Sequence, residues 1–142
     1  MLNKKHIAFF VFLLFSFGNQ LFAQQNPEDI ALVENKTEDY FFEALAQRGI
    51  ENYDKAIVAI QKCLEKEPKN PAFLYELGKN QLDAKDYVAA EIAFKSAVEI
   101  DNKQRWYWNG LYDVYYQTKN YEKAIGVVQK VIEFDPNMRE DL

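Results

Sequence analysis

Residues that could carry acid–base, nucleophilic or metal chemistry are scarce in this sequence. His6 is the only histidine and Cys63 the only cysteine, whereas the commonest general base is a histidine and a zinc site needs several His or Cys ligands. The five glycines form neither a phosphate-binding loop nor a Gly-x-Ser-x-Gly motif. The sequence therefore predicts a protein that is not an enzyme and that holds neither a metal ion nor another cofactor.

The N-terminal segment that carries His6 has the composition of a signal peptide. Lys4 and Lys5 precede an apolar run over residues 7–17, and a polar stretch ends at Ala23. A basic start, a short apolar run and a closing alanine are typical of secretory signal peptides, and the run is shorter than the roughly 20 residues of a spanning helix. We expect residues 1–23 to be a signal peptide cleaved after Ala23, with an uncleaved anchor as the alternative, and the chain to be periplasmic or secreted from a bacterium.

The chain beyond this segment is acidic. Without residues 1–23 it keeps 15 basic and 22 acidic side chains, and it has no cluster of Lys or Arg. Because nucleic-acid affinity rests on phosphate neutralisation, we expect no nucleic-acid partner. An exported chain with one cysteine forms no internal disulfide bond, so packing must hold it together, and we expect Cys63 to be buried in the core.

Three similar stretches recur at a fixed interval. They are NYDKAIVAIQKC, DYVAAEIAFKSA and NYEKAIGVVQKV, which begin at Asn52, Asp86 and Asn120. Around them, each unit of about 34 residues holds two apolar patterns of helical period, which predicts a pair of helices per unit. The units are residues 37–70, 71–104 and 105–138, and residues 24–36 are interpreted as a linker with a helical part. Small or slender residues mark close helix contacts in two columns: Ala56, Ala90 and Ala124, and Cys63, Ala97 and Val131.

These residues resemble the tetratricopeptide repeat (TPR). In the second unit the family pattern is matched by Leu74, Leu77, Gly78, Tyr87, Ala90, Phe94 and Ala97. The resemblance implies an all-α fold, an α-solenoid of three stacked helix-turn-helix repeats that form a right-handed superhelix. It also implies that residues 139–142 are the start of a truncated fourth repeat.

Two features depart from the family pattern. Tyr112 stands where Ala44 and Gly78 stand in the other units, so we expect its ring to splay the third hairpin or to point into a gap. The last helix is expected to keep an uncovered apolar stripe, because terminal repeats normally end in a polar capping helix. We interpret the chain as a fragment of a longer array, or as one whose end a partner covers. The stripe comprises Ile125, Val128, Val131 and Ile132.

The resemblance also implies a binding groove. In TPR proteins the first helix of each repeat lines a concave groove that holds a peptide or a partner protein. Rings with a few charges can anchor and orient such a segment, although each ring could instead pack between hairpins. Trp108 is assigned to the core. The groove positions in this sequence are Phe41, Leu45, Arg48, Tyr75, Lys79, Leu82, Asp83, Trp106, Asn109, Asp113 and Tyr116.

We therefore expect a protein–protein interaction scaffold with a peptide or protein partner and no small-molecule substrate. Some TPR proteins grip a C-terminal carboxylate with Lys, Asn and Arg, but the matching positions here offer no such donor, so a chaperone-tail receptor is not supported. The alternative is a structural spacer, or the N-terminal fragment of a larger exported protein whose activity lies downstream. Association with the cell envelope or with a further repeat is also open. The tested positions are Phe41, Leu45, Glu76, Trp106 and Gly110.

Overall fold

The computed structural model describes the backbone of residues 27–134 and the side chains of residues 36–134. Over this part of the chain it contains six α-helices and no strand, which confirms the predicted all-α solenoid of helical hairpins. Three hairpins follow one another, formed by α1 and α2, α3 and α4, and α5 and α6. The helices are α1 (Pro27–Gly49), α2 (Tyr53–Lys66), α3 (Pro71–Asp83), α4 (Tyr87–Ile100), α5 (Arg105–Gln117) and α6 (Tyr121–Phe134).

The first helix is longer than the others. It begins at Pro27, so residues 27–36, interpreted as a linker with a helical part, are helical and continue unbroken into the first repeat unit. Proline is common at the first position of a helix, because its missing amide would have no intrahelical partner. Contacts between residues divide the chain after Glu34, and the packing described below belongs to the unit that begins at Asn35.

The predicted signal peptide, residues 1–23, lies outside the described residues, and so does the start of a fourth repeat, residues 139–142. Among the helices that are described, none combines the length and the apolar character needed to cross a bilayer.

The turn within each hairpin has the same conformation. Glu51, Lys85 and Lys119 adopt positive φ angles of 60°, 64° and 59°, and they are separated by 34 residues. In the second hairpin the amide of Asp86 donates to the carbonyl of Gln81 at 2.8 Å, across the left-handed residue. This is the Schellman arrangement, which satisfies carbonyl groups that a helix leaves unpaired at its end. Equivalent bonds join Asn52 to Gln47 and Asn120 to Tyr115.

A polar cap marks the boundary between the first two hairpins. The side chain of Asn70 accepts hydrogen bonds from the amides of Ala72 and Phe73 at 3.0 and 3.4 Å. Pro71 occupies the first position of α3, where proline is well tolerated. The chain therefore leaves α2 and enters α3 at a defined residue, which fixes where the second hairpin starts.

The two columns of small or slender residues are buried, as predicted. All six of their side chains belong to the buried set, and Cys63 is 0% exposed. The thiol of Cys63 donates to the carbonyl of Thr37 on α1 at 3.4 Å, and burial, followed by the charge of Glu67, raises its pKa. The prediction that the single cysteine is a core residue is confirmed.

Phe94 is the largest fully buried side chain among the described residues, with 0% of its surface exposed. A Cβ atom built on Gly78 would lie 2.7 Å from two ring carbons of Phe94, and one built on Gly110 would lie 2.5 Å from them. Both distances are well below a carbon–carbon contact of about 3.5 Å. The ring of this α4 residue therefore rests directly on the backbones of α3 in its own hairpin and α5 in the next.

The two helices of the third hairpin stay packed together although Tyr112 occupies a position that holds a small residue in the other repeats. The ring of Tyr112 points to the exposed surface and stacks on Tyr116, one turn further along α5, with centroids 5.9 Å apart and planes at 19°. Helices α5 and α6 remain packed against each other. A close backbone approach on α5 occurs at Gly110, and it faces Phe94 of the preceding hairpin and not α6.

The apolar residues of α6 differ in their exposure. Ile125 is exposed, Val128 and Ile132 are half-buried, and Val131 is 3% exposed. The expectation of a continuous uncovered stripe is therefore wrong at Val131, which lies in the same small-residue column as Cys63 and faces inward for the same reason.

Candidate interaction surface

The first helices of the three hairpins lie side by side. Between α1 and α3, the Arg48 side chain donates from Nε to Asp83 Oδ2 at 2.8 Å. Between α3 and α5, the rings of Tyr75 and Tyr107 lie 5.4 Å apart. We name the surface formed by the groove positions on α1, α3 and α5 the inner face: Phe41, Leu45, Arg48, Tyr75, Lys79, Asp83, Trp106, Asn109, Asp113 and Tyr116.

On α1 the inner face is mainly apolar. Phe41 is half-buried, and its ring lies 5.6 Å from that of Phe73 on α3. Leu45, one turn further on, is exposed. Arg48 follows near the end of the helix and is committed to its ion pair with Asp83. The α1 positions that sequence reasoning predicted therefore include one packed ring, one free aliphatic side chain and one paired cation.

On α3 the inner face is a ring with charged neighbours. Tyr75 is half-buried, with its ring 5.7 Å from Phe94 and 5.4 Å from Tyr107. Lys79, one turn on, lies with its Nζ 5.2 Å from the centre of the Tyr75 ring and 3.0 Å from Glu76 Oε1. Tyr75 thus contributes to packing between hairpins and presents only part of its surface.

Leu82 was predicted to line the groove, and this is wrong. Its side chain is 8% exposed and belongs to the cluster that also contains Phe94 and Val114. The neighbouring residue Asp83 is exposed and forms the ion pair with Arg48. At the last turn of α3, the helix therefore turns its aliphatic residue toward the core and its carboxylate toward the surface.

On α5 the inner face is open. Trp106, Asn109, Asp113 and Tyr116 are all exposed, Trp106 by 55% and Tyr116 by 57%. Their spacings of three, four and three residues place them along one side of the helix. Trp108 lies instead among the core contacts and donates its indole N–H to the carbonyl of Asn102 at 2.8 Å, as predicted for a packing residue.

Charged side chains from all three first helices affect the pKa of the Tyr75 hydroxyl. Burial raises the pKa of the Tyr75 hydroxyl, the charges of Glu76 and Asp113 raise it further, and Arg48 opposes them. Burial also raises the pKa of the Asp113 carboxyl, although the residue is exposed. Arg48, Tyr75 and Asp113 lie on α1, α3 and α5, and the charges of Arg48 and Asp113 both act on the Tyr75 hydroxyl.

A second group of ionisable side chains lies away from the inner face. Glu91 on α4 accepts from Tyr115 Oη at 2.9 Å and lies 2.7 Å from Lys95 and 3.4 Å from Lys123. The hydrogen bond from Lys95 is the main cause that lowers the pKa of Glu91. Its carboxylate has partners on α4, α5 and α6, so it ties three helices together. Within the described residues, no group of three His, Cys, Asp or Glu residues could hold a metal ion.

Comparison with known proteins identifies the family. The sequence model described as "Tetratricopeptide repeat" matches residues 45–109 and 81–141. The chain belongs to the tetratricopeptide repeat family. The matched stretches cover the described TPR hairpins from the C-terminal end of α1 to the end of α6.

One curated relative and two solved TPR domains illustrate the similarity. Over 85 residues the chain is 33% identical to an N-terminal acetyltransferase A complex subunit-like protein of Schizosaccharomyces pombe, which covers 60% of this chain and only 12% of that protein. The Sgt2 TPR domain from Aspergillus fumigatus superposes with a TM-score of 0.66 at 22% identity, covering 79% of this chain and 69% of that one. The first TPR of Spaghetti (RPAP3), solved with an HSP90 peptide, superposes with a TM-score of 0.66 at 19% identity, covering 72% and 82%. These structural likenesses establish the TPR fold.

Sequence reasoning missed three residues that shape the inner face. Tyr107 is buried beneath Tyr75, and Glu76 holds Lys79. Tyr112 stacks on Tyr116 and widens the aromatic surface at the C-terminal end of α5. The spacing of four residues between the two tyrosines was a usable signal, because side chains at that spacing meet on a helix. The contact between Tyr107 and Tyr75 joins two repeats and has no such local signal.

Proposed function

We propose that this TPR chain is a non-enzymatic interaction module that holds a peptide or protein segment against its inner face. The observation that carries the proposal is the open side of α5, where Trp106, Asp113 and Tyr116 are exposed in one row. Large rings that remain exposed in a folded domain often mark a binding surface, and Trp and Tyr are the residues that most often dominate binding energy.

The distribution of reactive groups supports a non-enzymatic role. The only histidine is His6, and the thiol of Cys63 is buried, with its pKa raised by that burial. A buried thiol that resists ionisation is a poor nucleophile. Glu91 has its pKa lowered by Lys95, and it serves as a structural acceptor between helices.

The Spaghetti TPR, which has the same fold, was solved with an HSP90 peptide. For this chain we propose a peptide of different chemistry. Phe41 and Leu45 offer no hydrogen-bond donor from their side chains, and neither does Gly110. The acidic tail of a chaperone would find little to hold it there, whereas rings suit a segment with apolar side chains.

A display selection tests the proposal. A random-peptide library is selected on the immobilised chain, and the affinity of recovered peptides is measured for Trp106→Ala and Tyr116→Ala. Each substitution is expected to weaken binding about tenfold or more, since a central ring contributes over 1 kcal/mol. Both residues are more than half exposed, so the melting temperature should change little.

The matched control is Ile92→Ala. Ile92 is 62% exposed and lies on α4, outside the inner face. Its replacement should leave peptide affinity unchanged. If no peptide can be selected, or if Ile92→Ala weakens binding as much as Trp106→Ala, the inner face is not the binding surface. The spacer role would then be the better account of the chain.

We also propose that the chain is exported and acts in the periplasm or outside the cell. The basic start, short apolar run and Ala23 of residues 1–23 support this. Expression in a bacterial host followed by cell fractionation and N-terminal sequencing tests it. A mature chain that begins at Gln24 in the exported fraction is expected. An intact chain recovered with the cytoplasm would contradict the proposal, and an intact chain in the membrane fraction would identify an uncleaved anchor.

A further inference from the structure

We propose that the inner face recognises a basic side chain of its partner, a Lys or Arg held at Asp113 beside the ring of Tyr116. This inference rests on the proposed function and adds the chemistry of the segment that binds. It is carried by the pairing of charges on the inner face and by the position of its one unpaired central carboxylate.

The other central charges of the inner face are already paired. Arg48 and Asp83 join α1 to α3 at 2.8 Å. Lys79 lies 3.0 Å from Glu76 Oε1. Asp113, among the described residues, has neither an ion pair nor a hydrogen bond. A partner that approaches this surface therefore meets a free negative charge on α5 and two neutralised pairs beside it.

The inner face and its immediate neighbours also carry more negative than positive side chains. Glu38 on α1 is exposed. It lies two repeat lengths, 68 residues, before Trp106 and so occupies the equivalent position in the first repeat. The second oxygen of Glu76, Oε2, is buried without a hydrogen-bond partner in the described structure. With Asp83 and Asp113, these positions hold four carboxylates and the two cations Arg48 and Lys79, and Arg105, beside Trp106, is a third, exposed cation. A negative surface attracts and orients a cationic segment.

The rings on either side of Asp113 suit the same ligand. Trp106 lies two turns before Asp113, and Tyr116 lies one turn after it, on the same side of α5. A cation over the face of a Trp or Tyr ring gains about 0.5–1 kcal/mol at an exposed site. The chain itself uses this contact on the inner face, where Lys79 Nζ lies 5.2 Å from the centre of the Tyr75 ring. On α5, Tyr116 lies one turn from Asp113 and offers a partner cation the equivalent contact.

The surroundings of Asp113 favour binding of a positively charged group. Protein atoms around the carboxyl raise its pKa, so the ionised form is less favourable in the folded chain than in the unfolded chain. At neutral pH the charge therefore lowers folding stability slightly instead of supporting it. A partner ammonium or guanidinium would supply the counter-charge that the free chain lacks.

The display selection described above supplies the probes. Recovered peptides are sequenced, and individual synthetic peptides are titrated against the native chain, Asp113→Asn and Glu65→Gln. Glu65 is an exposed carboxylate on α2, outside the inner face, so its replacement changes the net charge equally. We expect Lys and Arg to be enriched in peptides that compete for the inner face. We also expect Asp113→Asn to weaken binding about five- to tenfold, as for a charge-assisted contact at a partly exposed site.

Two further readouts separate a binding role from a structural one. Binding should weaken as NaCl is added, because salt screens the exposed charges, and Asp113→Asn should reduce that dependence. The melting temperature of Asp113→Asn without peptide should be equal to or above that of the native chain, since the substitution removes a desolvated charge. A residue that only supported the fold would lower the melting temperature instead.

The outcomes distinguish this inference from the proposed function. Peptides that lose affinity in Trp106→Ala but bind Asp113→Asn as tightly as the native chain would overturn the preference for a basic side chain and leave the inner face as the binding surface. An equal loss in Glu65→Gln would reduce the effect to net charge and would also overturn the inference. If no peptide binds, or if Trp106→Ala has no effect, the proposed function fails and the inference with it.

Discussion

Replacing Gly110 by alanine is expected to destabilise the chain, although alanine is the better helix former. At an open helical position the change from glycine to alanine stabilises by about 1 kcal/mol. Gly110 is not open, because the new Cβ would lie 2.5 Å from Cδ1 and Cε1 of Phe94 and 2.8 Å from Cζ. Favourable carbon–carbon contacts begin at about 3.5 Å, so the overlap is roughly 1 Å.

The Phe94 ring is packed too closely to move away from a new methyl group. It is 0% exposed, and the same two ring carbons also lie close to the backbone of Gly78, where a Cβ would approach to 2.7 Å. Either α5 must move away from α4 or the ring must leave its preferred rotamer. Overpacking of this kind costs about 1–3 kcal/mol. After the gain of about 1 kcal/mol in helix propensity is subtracted, the expected net loss is up to about 2 kcal/mol.

Gly126 provides the matched comparison. It also lies within a helix, α6, but a Cβ built on it meets no atom within 4 Å. Gly126→Ala should therefore stabilise the chain by about 0.5–1 kcal/mol. Urea unfolding followed by far-ultraviolet circular dichroism measures both free energies, with an unchanged denaturant slope as the check that the folded state is intact.

A double-mutant cycle assigns the effect to the Phe94 ring. Phe94→Leu alone leaves a space in the core and should be destabilising, but in the Gly110→Ala background it should cost less, because it makes room for the new methyl group. Equal stabilisation by the two glycine substitutions would refute the close contact between α4 and α5, and so would strict additivity in the cycle.

The remaining predictions concern one helix cap and the buried thiol. Asn70→Ala should lower the free energy of unfolding by about 1 kcal/mol in the same urea assay, because its side chain caps α3. Asn52→Ala should be nearly neutral, because Asn52 makes no capping bond from its side chain, and equal losses would contradict the assignment. Cys63 should react with iodoacetamide only slowly in the folded chain and at the rate of a free thiol in urea, since it is 0% exposed and its pKa is raised by burial. Rapid reaction under native conditions would contradict its place in the core.

The helices were predictable because the signals that define them repeat. The second helices begin at Tyr53, Tyr87 and Tyr121, one residue into each of the three similar stretches, and the small residues at fixed offsets from them are buried. Periodic patterns average over many residues, so a single irregular position does little harm to the assignment. This is why the all-α solenoid could be predicted although the first unit matches the TPR pattern least well.

The left-handed turns could not be predicted from residue type. Glycine is the usual residue at such a position, whereas here the positions hold Glu51, Lys85 and Lys119. A lysine with positive φ costs local energy that the surrounding helices must offset. The regularity is visible only as a spacing of 34 residues, after the hairpins have been placed.

The sequence predicted which positions lie on the inner face, but not which of their side chains contact one another. Assigning equivalent positions in each repeat brought Arg48 and Asp83 to the same surface, but only the structure indicates that they form an ion pair. The same procedure failed at Leu82, because a helix turns by about 100° per residue and the last turn of α3 directs that side chain to the core. It also gave no sign of the close approach of Gly110 to Phe94, because that contact joins two hairpins.

The shared position of Phe94 bears on how the array unfolds. In repeat proteins, stability divides into the stability of each repeat and the coupling between neighbours. Phe94 touches both α3 and α5, and at the preceding junction Ile60 clusters with Ala44 on α1 and Leu77 on α3. These side chains therefore couple the folding of each repeat to that of its neighbour. A smaller residue at Phe94 is therefore expected to lower the coupling free energy between the second and third hairpins, in addition to the stability of the second hairpin itself.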